Sequence, residues 1–136
     1  MNDYVSYTVL TFDKKWTAKS FYFDPSTDSI ISKKVDIKIN LDTVFSNLVL
    51  NNIFSLPDQN SLQLKKLTYL TESNQFLEEG MGDNHVYYSY IEFKIGDCYR
   101  HYQYHDVHDF ANYYSQVHEF KKFVNIVTIF NRLIKE

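Results

Sequence analysis

The sequence predicts an α+β fold: an antiparallel β-sheet of about five or six strands, one internal helix over about residues 41–51, and a C-terminal helix over about 118–134 packed on it. Three features predict it. Several short segments carry β-branched and aromatic residues or a strict two-residue alternation. The apolar period changes to that of a helix between Leu41 and Val49, and again beyond Phe120. Two further apolar runs meet at Gly96-Asp97, a dipeptide suited to closing a hairpin.

Tyr4 to Phe12 (YVSYTVLTF) reads as the first strand, Asp13-Lys14-Lys15 as a turn, and Trp16 to Phe23 as the returning strand. Asp24-Pro25-Ser26-Thr27-Asp28 breaks the pattern, because proline fixes φ and the short polar side chains bond to nearby backbone. In Val35-Asp36-Ile37-Lys38-Ile39 the apolar residues share one face, which predicts a third strand there. Leu41, Val44, Phe45, Leu48 and Val49 then form one stripe of a helix. Asn40 or Asp42 is available to cap its start, and Asn51-Asn52 tolerates the left-handed conformation at its end. Ile53 to Pro57 follows as an apolar loop. Residues 60–77 admit two readings, since Leu62 and Leu64 alternate while Leu64, Leu67 and Leu70 share a helix face. Glu78 to Asn84 reads as an acidic loop. The terminal segment lines up Phe120, Phe123, Val124, Val127, Phe130 and Ile134.

A chain of 136 residues predicts a single domain, residues 1–136, able to bury roughly two-thirds of its unfolded surface. Aromatic residues make up 18% of it, mostly Tyr and Phe. The net charge of −3 argues against a nucleic-acid partner, which normally requires a basic excess. The pairs Lys14-Lys15, Lys33-Lys34, Lys65-Lys66 and Lys121-Lys122 read as turn and helix-surface lysines. Cys98 is the single cysteine, so neither an internal disulfide nor a thiolate zinc site is expected. Residues 1–12 lack the pattern of a signal peptide, and no run approaches the roughly 18 apolar residues of a membrane span. These features predict a soluble, cytoplasmic protein as the sequence stands. A periplasmic or envelope location follows if an export signal has been removed.

The hairpin of Val86–Ile95 and Cys98–His105 is the most informative region. A two-residue loop at Gly96-Asp97, of type II′, pairs Ile95 with Cys98, Phe93 with Arg100, Ile91 with Tyr102 and Ser89 with Tyr104. One face then holds Tyr87, Ile91, Phe93, Ile95, Cys98, Tyr102 and Tyr104 and reads as core. The other holds Tyr88, Tyr90, Glu92, Lys94, Tyr99, His101, Gln103 and His105. Tyrosine combines contact area with a polar tip and is enriched at recognition surfaces. Two arrangements are open for this second face: exposed for contact with another molecule, or covered by another segment such as residues 60–77.

His101, His105 and His108, with Asp106 and Asp109, form the one cluster with metal-like spacing, but it matches no zinc signature and no metal is assigned. Glu92 lies across from His101, a pairing that favours the charged imidazole. Cys98 and His101, three residues apart on a strand, point to opposite faces and make no nucleophilic dyad. Gly80-Met81-Gly82 lacks the strand and helix that flank a phosphate loop. Glu78 and Glu79 have no neighbour to raise a carboxyl for acid–base work. No catalytic residue and no cofactor follow from the sequence.

The segments NNIFSLPDQ (Asn51–Gln59) and YIEFKIGDCYRHYQYHD (Tyr90–Asp106), followed by a Phe- and Ile-rich terminal helix, resemble small β-rich proteins of the Bacteroides–Flavobacterium lineage. Many of those carry a lipoprotein signal. The resemblance implies an envelope origin and no activity or functional residues.

The expected function is therefore non-enzymatic: a module that binds another protein, a toxin or effector, and acts by occlusion as an immunity or inhibitor protein does. Its site is Tyr88, Tyr90, Glu92, Tyr99, His101, Gln103 and His105. The alternative is a small-ligand or carbohydrate-binding domain of the cell envelope that uses the tyrosine rings as stacking platforms.

Overall fold

The computed structural model describes residues 6–36, 38–73 and 88–134, without the side chains of Ser6, Ile95, Cys98 and Ile134. It is α+β, with five antiparallel strands among the described residues. They form two sheets rather than one: β1 (Ser6–Asp13), β2 (Lys15–Asp24) and β3 (Ser29–Lys34) in the order β1-β2-β3, and β4 (Tyr88–Ile95) with β5 (Cys98–His105). The helices are α1 (Leu41–Leu50), α2 (Gln63–Glu72), α3 (Val107–Tyr113) and α4 (His118–Ile134), with a 3-10 turn (Gln59–Leu62) before α2. The backbone gathers into two compact units. One comprises the described residues of 1–47 and 128–136, the other 48–127.

In the first unit, β1 and β2 pair from Ser6↔Tyr22 to Asp13↔Lys15, leaving Lys14 alone at the turn with φ +60°. The carboxylate of Asp24 accepts from the Ser26 backbone N–H at 2.9 Å and from its hydroxyl at 2.6 Å, which folds Pro25–Asp28 into a turn. The Ser26 hydroxyl and then its N–H hold the Asp24 carboxyl below the usual aspartate range. Because this turn closes directly on Asp24↔Ser29, the third strand begins at Ser29 and ends at Lys34. The strand expected at Val35–Ile39 is therefore displaced towards the turn. Among the described residues of this stretch, which leave out Ile37, ladder pairing is one bond, from the Val35 N–H to the Ala18 carbonyl at 3.1 Å. Asn40 starts α1, its side-chain oxygen accepting from the N–H groups of Asp42 (2.9 Å) and Thr43 (3.3 Å). That leaves the Asp42 carboxylate for the Trp16 indole N–H at 2.9 Å, while the Trp16 ring packs on Phe45 at 5.6 Å.

In the second unit, α1 ends in a Schellman motif. Asn52 adopts φ +60°, its N–H bonds to the Val49 carbonyl at 2.9 Å, and the Ile53 N–H reaches back to Leu48 at 3.1 Å. Leu48 and Ile53, the two apolar residues this brings together, are both buried. Leu56 and Leu62 follow into the core, where Tyr102, Tyr104, Tyr114, Phe120, Phe123 and Ile126 are fully buried. Tyr104 stacks on Phe123 with centroids 3.9 Å apart and meets Phe120 edge-on, so α4 packs on β5 as expected.

The ambiguous stretch from residue 60 is helical as far as it is described. The face it buries is not that of Leu64 and Leu67, which are exposed, but that of Lys66. The Lys66 ammonium lies 4.5 Å from the Phe110 ring centroid and 5.0 Å from that of Tyr114, an arrangement in which the ring faces offset part of the cost of burying a charge. Neighbouring Lys65 bonds Glu119. Burial pushes the Glu119 carboxyl up, but the Lys65 ammonium, with the Glu119 N–H and the charge of Lys122, holds it below the ordinary glutamate range. Tyr87, the loop Glu78–Asn84, and the side chains of Ile95 and Cys98 lie outside the described residues. Among those described, no helix is long and apolar enough to cross a membrane.

Candidate functional site

The hairpin register runs from Ile95↔Cys98 to Tyr88↔His105 without a bulge. Gly96 has φ +56° while Asp97 stays in the ordinary half of the map, as a type II′ turn requires. The pleat then separates two faces. Ile91, Tyr102 and Tyr104 are buried on one. Arg100 shares that side and is satisfied there: Nη1 donates to the Phe54 carbonyl at 3.0 Å and Nη2 to that of Leu56 at 2.8 Å, with the guanidinium 4.7 Å from the Tyr102 ring centroid. The Tyr104 hydroxyl donates to Pro57 O at 2.5 Å, and burial, then the charges of Glu119 and Asp58, push its phenol far up.

The other face is open. Tyr88, Tyr90 and Tyr99 retain 65%, 47% and 57% of their accessible surface, which rules out a second core layer over them among the described residues. Glu92, Lys94, His101 and Gln103 are exposed beside them, and His105 is half-buried. The rings form two groups, each around a histidine. Tyr90 stacks on His101 at 5.8 Å, Tyr99 lies 6.2 Å from the same imidazole, and Tyr88 meets His105 edge-on at 6.2 Å. Glu92 is the direct cross-strand neighbour of His101. The carboxylate also engages Tyr99: partial desolvation, then the charge of Glu92 and a hydrogen bond to it, raise that phenol.

His105 is the best anchored of these residues. Its Nδ1 lies 3.1 Å from the Asp106 carboxylate and its ring 5.2 Å from that of Phe110. Its main chain is held by Gln59, a buried side chain. The His105 N–H donates to Gln59 Oε1 at 2.7 Å, and Gln59 Nε2 donates back to the His105 carbonyl at 3.1 Å. This clasp brings Asp58–Ser61 beside β5 and encloses a cleft of about 530 Å³, lined also by Tyr88, His101, Gln103 and His105. Sequence reasoning did not find Asp58, Gln59, Asn60 and Ser61. The signal present, a polar run after Pro57, marks a loop without saying which strand it meets. His108 and Asp109 lie exposed on α3, away from any shared coordination geometry. Among the described residues, no group of three or more His, Cys, Asp or Glu side chains could hold a metal ion.

Comparison of the chain with protein-family models, with curated proteins and with solved structures finds no match to any of them.

Proposed function

We propose that the chain is a non-enzymatic binding module that occludes another protein, in the manner of an immunity or inhibitor protein, through the outward face of the β4–β5 hairpin. The observation that carries this reading is the exposure of Tyr88, Tyr90 and Tyr99 on a regular strand pair, where large rings hold fixed positions in solvent. A rigid aromatic surface of this kind loses little conformational entropy on contact, and central anchors contribute about 2 kcal/mol or more each. The flanking Glu92, Lys94, Gln103 and histidines supply the polar rim.

Changing Tyr88, Tyr90 and Tyr99 together to Thr, which keeps strand propensity, is expected to weaken binding by roughly 100-fold or more. The melting temperature should move by only a degree or two. The measurement is the affinity for the protein encoded beside this chain's own gene, wild type against the triple variant. Unchanged affinity sinks the reading, and so does an unfolded variant, since the rings would then be structural.

The cleft favours a second reading, a small-ligand or carbohydrate-binding domain of the envelope. Asp58, Asn60, Ser61 and Gln103 offer hydrogen-bonding groups next to the Tyr88 ring, the pairing that sugar recognition uses. In a thermal-shift screen against mono- and oligosaccharides, a ligand at about 100 times its Kd stabilises the fold by about 2.7 kcal/mol. The rise in melting temperature it causes should vanish in Tyr88→Thr. A flat response across the panel removes this alternative.

A further inference from the structure

We infer that the outer edge of β5 receives an extended polypeptide segment of the partner as an added β-strand, with Gln59 holding the first position of the missing strand. The inference rests on the reading of the hairpin as a protein-binding surface and specifies how the partner is held.

The phase of the ladder decides which main-chain groups of β5 are free to meet a partner. In an antiparallel pair, alternate residues direct their N–H and C=O towards the partner strand and away from it. The two-residue turn makes Ile95↔Cys98 a bonded pair, so Arg100, Tyr102 and Tyr104 bond to β4, while Tyr99, His101, Gln103 and His105 direct both groups outward. Gln59 confirms this phase independently. Its carboxamide bonds both the N–H and the carbonyl of His105, which a side chain can do only if those groups leave the hairpin.

The carboxamide has the donor and acceptor of a peptide group. It therefore completes, at His105, the pair of bonds that a third strand would make. Continuing towards the turn, the same edge presents Gln103, His101 and Tyr99, all exposed. Among the described residues, no hydrogen bond outside the hairpin ladder engages the main chain of these three. They repeat at about 7 Å, the two-residue step of a strand. Exposed edges are usually blunted by proline, lysine or a bulge. The sequence of β5 (CYRHYQYH) contains no proline or lysine, and its register shows no bulge. The cleft between Asp58–Ser61 and β5 leaves room beside this edge for a backbone. A strand added there would place alternate side chains level with Tyr99, His101 and Gln103, where apolar or aromatic residues pack best.

The probe is a phage-displayed library of random 12-residue peptides selected on the wild-type chain. The best peptide is then measured by fluorescence anisotropy. Gln103→Pro removes an outward N–H without touching the ladder, a substitution that edge strands tolerate. It is expected to weaken the peptide about tenfold or more beyond whatever Gln103→Ala costs, because alanine removes the side chain but keeps the outward N–H. N-methylation along the peptide should abolish binding at every second position. This scan uses the wild-type chain, so it decides the matter even if Gln103→Pro fails to fold.

Equal affinity for the Pro and Ala variants, a methylation scan with no two-residue period, or a library that yields no binding peptide would each overturn the inference. So would dimerisation of the chain itself that Gln103→Pro abolishes, because the edge would then belong to a second copy. The hairpin-face reading fails separately: a peptide that binds the triple Thr variant as well as wild type removes the face and leaves the edge.

Discussion

Truncating Phe120 to alanine is expected to destabilise the chain by about 3–5 kcal/mol, a large part of the roughly 5–15 kcal/mol that holds a domain of this size together. The ring is fully buried and touches three others. It stacks on Phe110 at 5.3 Å and Tyr114 at 6.0 Å and meets Tyr104 edge-on at 6.1 Å. Its loss removes the transfer free energy of the ring and leaves a cavity whose walls come from β5, α3 and the loop after α3, elements too differently anchored to close together. Urea unfolding should show a lower midpoint with an unchanged slope. A loss below about 1.5 kcal/mol would mean that the cluster repacks around the gap.

Arg100→Ala is expected to cost about 2–4 kcal/mol, although the residue is only half-buried. The guanidinium spans two carbonyls, those of Phe54 and Leu56, and covers the Tyr102 ring. Removing it leaves the Leu56 carbonyl, on a buried residue, without its charged donor, and such bonds contribute about 1.5–3 kcal/mol each. Arg100→Lys should recover less than half of the loss, because one ammonium cannot bridge carbonyls two residues apart as a planar fork does. The comparison is the unfolding free energy of the three proteins. Full recovery by lysine would assign the effect to packing of the aliphatic stem.

Those two residues also mark where sequence reasoning succeeds and where it stops. Phe120 lies on an apolar stripe of helical period, and its place in the core is legible from spacing alone. The hairpin is legible for a similar reason: a glycine at the turn fixes the register, and the register fixes both faces. The ends of α1 are legible because Asn40 and Asn52 act through the backbone beside them. Arg100 is not, since its position follows from the pleat but its partners lie more than forty residues away. Lys66 misleads outright. Leu64 and Leu67 suggest an apolar face for α2, yet the helix turns them outward because its core-side neighbours, Phe110 and Tyr114, offer ring faces that suit a cation. Val35–Ile39 alternates like a strand, but the turn at Pro25–Asp28 had already started β3 six residues earlier. Gln59 is the most consequential omission. A glutamine after Pro57-Asp58 carries no local sign of the strand it will clasp, and that clasp both forms the cleft and sets the edge.

The single tryptophan has a practical consequence. Trp16 sits against Phe12 and Phe45 with its indole N–H held by Asp42, all within the first unit, so the fluorescence emission of the chain under selective excitation reports that unit alone. The near-ultraviolet dichroism of the second unit comes instead from packed tyrosines, chiefly Tyr102, Tyr104 and Tyr114. Because Trp16, Tyr7 and Tyr22 of the first unit contribute in the same band, fluorescence follows one unit and dichroism both, and the cooperativity of unfolding can be read by overlaying the two melts of the unlabelled protein.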